Sequence, residues 1–201
     1  MSKGITSLVA VLLAAGMMCN AWATQNVVSI VPIYKTNMPQ YQLGFDVSRD
    51  QTVGVRFSPI DDVTLSTVEL WFMNNSYMTQ GEVTVTLRDD KKHKDGLTKP
   101  GNKILESWTF QVSSLGWQIA QEILVSKVRP QLKHDQRYWL VAESSAPALE
   151  NPVWSIAQSE GGNIGLGYGG SFSPKTDEWT SLGYSSIPNV HVFGELPLNN
   201  P

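Results

Sequence analysis

Residues able to carry covalent or metal chemistry are few in this chain of 201 residues. Its single cysteine, Cys19, lies in the N-terminal segment that is predicted to be removed as a signal peptide, so the mature chain has no cysteine nucleophile. No Gly-x-Ser-x-Gly elbow occurs, so a serine nucleophile is not recognisable either. The three histidines, His93, His134 and His191, lack the close spacing of a zinc motif. Structural or solvated roles are therefore favoured for all three.

Paired carboxylates are the second chemistry to consider. Hydrolysis of a glycoside by acid–base catalysis needs two carboxyl groups at a fixed distance, which a sequence alone does not exclude. The sequence therefore leaves a secreted two-carboxylate polysaccharide hydrolase as an alternative function. The eligible glutamates are Glu69, Glu106, Glu122, Glu143 and Glu178.

Three aspartates in the charged segment 89–101 have the chemistry of a calcium site. Asp89, Asp90 and Asp95 supply the oxygen ligands that Ca²⁺ prefers. Several lysines in the same segment would oppose a cation, so a solvated turn is the favoured interpretation. The sequence thus allows a bound Ca²⁺ ion and predicts no other cofactor.

Aromatic side chains are the remaining candidates, and they point to binding. Exposed flat rings stack on the apolar faces of sugars or anchor a protein partner at little entropic cost. By contrast, Trp108, Trp117 and Trp154 share the phase of apolar neighbours and are predicted to lie in the core. Four rings are out of phase or lie among Gly and Ser residues, and these are the candidate ligand contacts: Trp71, Tyr168, Trp179 and Tyr184.

The elements that must position these rings are predicted to be strands, because apolar residues alternate with a period of two. Segments 53–57, 83–87 and 104–112 show the alternation most clearly. Turn-forming residues separate about ten such segments, and no segment has a convincing helical period. The pattern predicts an all-β fold, an antiparallel two-sheet β-sandwich of jelly-roll type.

One strand changes phase along its length. Its apolar residues begin at odd positions, Val63 and Leu65, and continue at even ones, Val68 and Leu70. Such a change requires one extra residue, so we expect a bulge near Ser66 and Thr67. Trp71 would then point away from the core.

The N-terminal segment predicts export. Residues 8–18 are apolar and lead to Ala21-Trp22-Ala23, so residues 1–23 are predicted to be a secretory signal peptide and residues 24–201 a single β-sandwich domain. Removing Lys3 with the leader changes the net charge from −3 to −4, which disfavours binding to nucleic acid. No later segment supplies the roughly 20 apolar residues of a membrane span. The predicted location is extracellular or periplasmic.

The strand sequences also carry a family resemblance. Val53-Gly54-Val55-Arg56-Phe57, the Pro100-Gly101 turn, Tyr138-Trp139-Leu140-Val141 and the closing Val190-His191-Val192-Phe193-Gly194 resemble exported bacterial β-sandwich domains of the choice-of-anchor type. The resemblance covers about residues 50–195. It implies a fold and an extracellular compartment, and it brings no catalytic residues.

The predicted function is a secreted, non-catalytic binding module for a glycan or for a surface or host protein. The four candidate rings and the loops around residues 90–100 and 160–180 would contact the ligand. A structural subunit of a cell-surface assembly, paired through an exposed edge strand, is a further alternative to the hydrolase.

Overall fold

The computed structural model describes residues 24–30, 44–92, 98–157, 168–173, 178–183 and 187–197. These residues form fourteen strands and no helix, so no helix in the described part of the chain is long and apolar enough to cross a membrane. The strands are β1 Thr24–Ile30, β2 Gly44–Asp46, β3 Thr52–Phe57, β4 Val63–Asn74, β5 Glu82–Lys92, β6 Thr98–Gln111, β7 Ala120–Val125, β8 Gln131–Leu132, β9 Tyr138–Glu143, β10 Pro152–Ala157, β11 Tyr168–Ser173, β12 Glu178–Gly183, β13 Ile187–Pro188 and β14 Val190–Glu195.

The strands build two antiparallel sheets. The eight-stranded sheet has the order β1-β14-β4-β10-β13, with β2 paired to β10 and with β7 and β8 paired to β4. The six-stranded sheet has the order β12-β11-β3-β9-β5-β6. The all-β, antiparallel two-sheet sandwich predicted from the period of two is confirmed, while the jelly-roll connectivity stays a prediction.

The inward-facing side chains of the two sheets form one hydrophobic core. Alternate residues of β3, β5 and β9 are buried there, because successive side chains of a strand point to opposite faces. Trp154 is fully buried and stacks on Phe72, with ring centroids 5.5 Å apart. Trp108 is also buried, so the core prediction is confirmed for these two tryptophans.

The bulge predicted from the phase change in β4 is confirmed. Phe193 of β14 pairs with Thr67, whereas the next residue, Gly194, pairs with Leu65, which leaves Ser66 as the extra residue. Leu65 and Val68 are both fully buried as a result. The hydroxyl of Ser66 donates a hydrogen bond of 3.0 Å to the carbonyl of Phe193, which fixes the bulge.

Two side chains that their position in the apolar alternation predicted to be buried are exposed. Ile104 is 52% exposed because Leu87 pairs with Glu106 and Arg88 with Ile104, so that Leu105 is absorbed as a bulge and Ile104 turns outward. Trp117 is 43% exposed, since β7 begins only after it. In β7 itself Leu124 is the buried residue, and its apolar neighbours Ile123 and Val125 are exposed. Three consecutive apolar residues do not indicate which face is inside.

Candidate functional site

Several exposed apolar side chains lie in loops at one end of the sandwich. The exposed apolar side chains at this end, within the described part of the chain, are Tyr77, Met78, Leu115, Trp117 and Leu149. They belong to the connections between β4 and β5, between β6 and β7, and between β9 and β10. We call these three connections, residues 75–81, 112–119 and 144–151, the loop surface.

Tyr77 and Trp117 are the aromatic members of the loop surface. Tyr77 is 68% exposed and Trp117 is 43% exposed, and they lie on two different loops. The ring of Tyr77 lies against Gly116. The φ of Gly116 is 62°, a left-handed backbone conformation that residues other than glycine rarely adopt. A Cβ at this position would also clash with the Tyr77 ring. The glycine therefore lets the two loops approach closely and holds one ring beside the other loop.

Backbone hydrogen bonds join the first two loops directly. The amide of Gly116 donates to the carbonyl of Ser76 at 2.7 Å, and the amide of Asn74 donates to the carbonyl of Gly116 at 2.9 Å. The side chain of Asn74 adds a bridge, since its Oδ1 accepts from the amide of Gly81 at 3.1 Å and its Nδ2 donates to the carbonyl of Ser114. Asn74 is fully buried, so this bridge lies beneath the exposed rings.

Local side-chain hydrogen bonds stiffen each of these loops. The hydroxyl of Ser76 accepts from the backbone amides of Met78 and Thr79, both at 3.1 Å. Ser113 donates its amide and its hydroxyl to Oε1 of Glu122, at 2.6 and 2.7 Å. Such contacts between side chains and nearby backbone replace the ladder bonds that loops lack. Tyr77 and Trp117 are therefore carried on loops that are ordered before any ligand arrives.

The third loop is attached through a polar cluster. Nδ2 of Asn75 donates to Oδ1 of Asp46 at 2.7 Å and to Oδ1 of Asn151 at 2.9 Å. Nδ2 of Asn151 donates to the same oxygen of Asp46 at 3.0 Å. Leu149, which is 81% exposed, lies on this loop two residues before Asn151. The cluster thus connects loops 75–81 and 144–151 to the end of β2.

Trp71 lies elsewhere, on the outer face of the eight-stranded sheet. As the bulge predicted, it points away from the core, and it is half-buried. Its ring meets His191 edge to face, with centroids 4.9 Å apart. His191 in turn contacts Glu69, with 3.3 Å between Nδ1 and Oε2.

Trp179 lies on the six-stranded sheet. It is half-buried, its ring centroid is 5.6 Å from that of Trp139, and a Cβ on Gly54 would lie 3.2 Å from it. Tyr168 belongs to β11, where its backbone pairs with Arg56, and Tyr184 lies outside the described residues. Of the four candidate rings, Trp71 and Trp179 are therefore on different sheets, and the aromatic pair on the loop surface was not among them.

Two of the three aspartates of the suggested calcium site lie on a strand rather than in a turn. β5 continues to Lys92 and β6 begins at Thr98, so Asp89 and Asp90 are strand residues, and Asp95 lies outside the described residues. Oδ1 of Asp90 accepts the indole N–H of Trp139 at 2.7 Å, and Oδ1 of Asp89 accepts the amide of Lys103 at 3.2 Å. Calcium binding stays a prediction, and within the described residues no group of three or more metal-binding side chains occurs.

Four of the eligible glutamates have partners within the protein. Glu69 contacts His191, Glu122 accepts from Ser113, and Glu143 pairs with Arg88 at 3.2 Å. Glu106 is buried and accepts from the residues that follow β7. Glu178, in β12, completes the set. None of the four glutamates with named partners hydrogen-bonds to another glutamate of the set among the contacts of the described residues.

One further titratable cluster joins Asp62, which precedes β4, to Lys133 and His134, which follow β8. Asp62 accepts from Nζ of Lys133 at 2.8 Å and from the amide of His134 at 3.0 Å. The hydrogen bond from Lys133, followed by those from His134, holds the pKa of Asp62 well below its usual range. The hydrogen bond to Asp62 raises the pKa of His134. Because these groups are exposed, solvent weakens the pair and it contributes little to stability.

Comparison with known proteins gives no family. No model of a known protein family matches the chain, and no curated protein matches it. The resemblance to choice-of-anchor domains therefore stays a prediction, and the function has to be argued from the geometry of the site.

Proposed function

We propose that the chain is an exported, non-catalytic binding module that holds a glycan on the loop surface. The observation that carries the proposal is the pair of rings on loops tied together, with Tyr77 68% exposed and Trp117 43% exposed. Rings presented in this way offer a large apolar area to a sugar face and lose little side-chain entropy on binding. The predicted leader at residues 1–23 would deliver the module outside the cytoplasm.

The fixed conformation of the loops supports a binding role for the exposed rings. A ligand gains affinity when the groups that contact it are already held in place, because less entropy is lost on association. The hydrogen bonds from Gly116 to Ser76 and from Gly81 to Asn74 hold the two loops in place in this way. The amides and hydroxyls of the same loops supply the polar groups that sugar hydroxyls need.

The test is retention of the mature chain on a panel of insoluble and soluble polysaccharides. We expect at least one polymer to be bound, and Trp117→Ala to weaken that binding by about tenfold or more, the effect typical of an aromatic anchor. Val128→Ala is the matched control, because Val128 is 65% exposed but follows the far end of β7. It should bind as the unaltered chain does.

Thermal unfolding of both variants separates binding from folding. Trp117→Ala and Val128→Ala should unfold within a few degrees of each other, since both side chains are exposed. Equal retention of the two variants, or binding to no polymer at all, would contradict the proposal. Release of reducing ends from any polymer would instead support the two-carboxylate hydrolase.

A further inference from the structure

The loop surface has a distinctive charge distribution. Loops 75–81 and 112–119 contain no acidic or basic side chain, and loop 144–151 contains only Glu150. The side chains offered there are aromatic, aliphatic, hydroxyl and amide groups. Direct contacts from these loops are therefore made without a formal positive charge.

The charged residues around the loops are predominantly acidic. Two described cations beside the loops each contact a carboxylate: Nε of Arg49 is 3.8 Å from Asp50, and Arg88 is 3.2 Å from Glu143. Other carboxylates beside the loops have no cationic partner among the described residues, and these are Asp46, Glu82, Glu122 and Glu150. An anionic ligand would therefore meet net negative charge from the described side chains around the loops.

Neutral hydrogen-bonding groups accompany the two rings. Gln118 follows Trp117 directly, is exposed, and makes no side-chain hydrogen bond to the described residues. Thr79 and Gln80 lie beside Tyr77 and are also exposed. Uncharged amide and hydroxyl groups suit the hydroxyls of a neutral sugar, which both donate and accept.

From this distribution we infer that the loop surface selects an uncharged polysaccharide and discriminates against uronate-bearing or sulfated ones. The inference rests on the proposed function and specifies its ligand class. Selection comes from two effects, the stacking of neutral rings on Tyr77 and Trp117 and the repulsion of anions by the surrounding carboxylates. Because no ion pair forms, binding depends only weakly on salt.

Polymers that share a backbone and differ in charge provide the test. Native affinity electrophoresis would compare cellulose derivatives with and without carboxymethyl groups, and polygalacturonate with its methyl ester, alongside neutral glucans, mannans and xylans. We expect the chain to bind the uncharged polymer of a pair at least about tenfold more tightly than the charged one. Raising the salt concentration from about 20 to about 200 mM should change that affinity by less than about threefold.

A charge introduced into the loop surface makes the discrimination testable within the protein. Gln118→Lys should increase binding to polygalacturonate, while Val128→Lys, which places the same charge at an exposed position away from the loops, should not. Preference for the charged member by the unaltered chain would overturn the inference and leave the proposed function standing. Binding to no polymer would overturn both the inference and the proposed function. The same holds if the chain binds a basic protein and none of the polymers.

Discussion

The substitution Glu106→Ala is expected to lower the free energy of unfolding by about 3 kcal/mol, because it leaves one buried hydroxyl and two part-buried amides without an acceptor. Glu106 is only 4% exposed and lies on β6, in the six-stranded sheet. Its carboxylate accepts from the hydroxyl of Ser126 and from the amides of Lys127 and Val128. These residues follow β7 of the other sheet, so a single carboxylate joins the two sheets.

A neighbouring indole reinforces the same junction. Trp108, two residues further along β6, donates its indole N–H to the carbonyl of Val125 at 3.0 Å. The end of β7 is therefore held by two side chains from the opposite sheet. Removal of Glu106 weakens this junction without changing the strand alternation that forms the core.

Chemical unfolding of Glu106→Ala and of two related variants provides the measurement. Glu106→Gln keeps one oxygen acceptor and should fall between Glu106→Ala and the unaltered chain. Ser107→Ala, an exposed change at the adjacent position, should alter stability by less than about 0.5 kcal/mol. A loss below about 1 kcal/mol for Glu106→Ala would contradict the role given to the carboxylate.

The substitution Asn74→Ala is expected to lower the free energy of unfolding by about 2 kcal/mol and to weaken glycan binding by about tenfold. The buried Asn74 side chain joins loop 75–81 to loop 112–119 through Gly81 and Ser114. Its removal leaves Tyr77 and Trp117 in the sequence and takes away the bridge that orders them. The loss of affinity would therefore measure preorganisation rather than direct contact.

Binding and unfolding of Asn74→Ala should be measured at a temperature where the variant is fully folded. Asn102→Ala is the matched control, because Asn102 is exposed on β6 and lies outside the loop surface. It should match the unaltered chain in both measurements. Reduced stability of Asn74→Ala with unchanged affinity would show that the bridge does not order the binding rings.

The sheets and the bulge could be predicted because strand periodicity is a local property. Alternation in β3 and β5 follows from the period of two, and the phase change between Leu65 and Val68 required the extra residue at Ser66. Ile104 could not be placed, because the bulge at Leu105 depends on the register with β5 rather than on the sequence of β6. A long-range pairing decided which side chain faced water.

The loop surface was missed for a related reason. Tyr77 lies between Asn74-Asn75-Ser76 and Gly81, a composition typical of a loop, and that was the available signal for an exposed ring. Trp117 shares the phase of Ile119 and Ile123, which suggested burial, yet it precedes β7 and is exposed. The approach of the two loops depends on Gly116 meeting Tyr77 across a long stretch of chain, and no local pattern encodes that contact.

Nuclear magnetic resonance of the tryptophan indole N–H groups tests the central claim most directly. During titration with an oligosaccharide of a neutral polymer that the chain binds, the Trp117 signal should shift. The signals of Trp108 and Trp154 should stay in place, because their indole N–H groups donate hydrogen bonds to the backbone carbonyls of Val125 and Asn189. Shifts confined to Trp71 or Trp179, with Trp117 unmoved, would place the ligand on a sheet face and contradict the loop surface as the binding site.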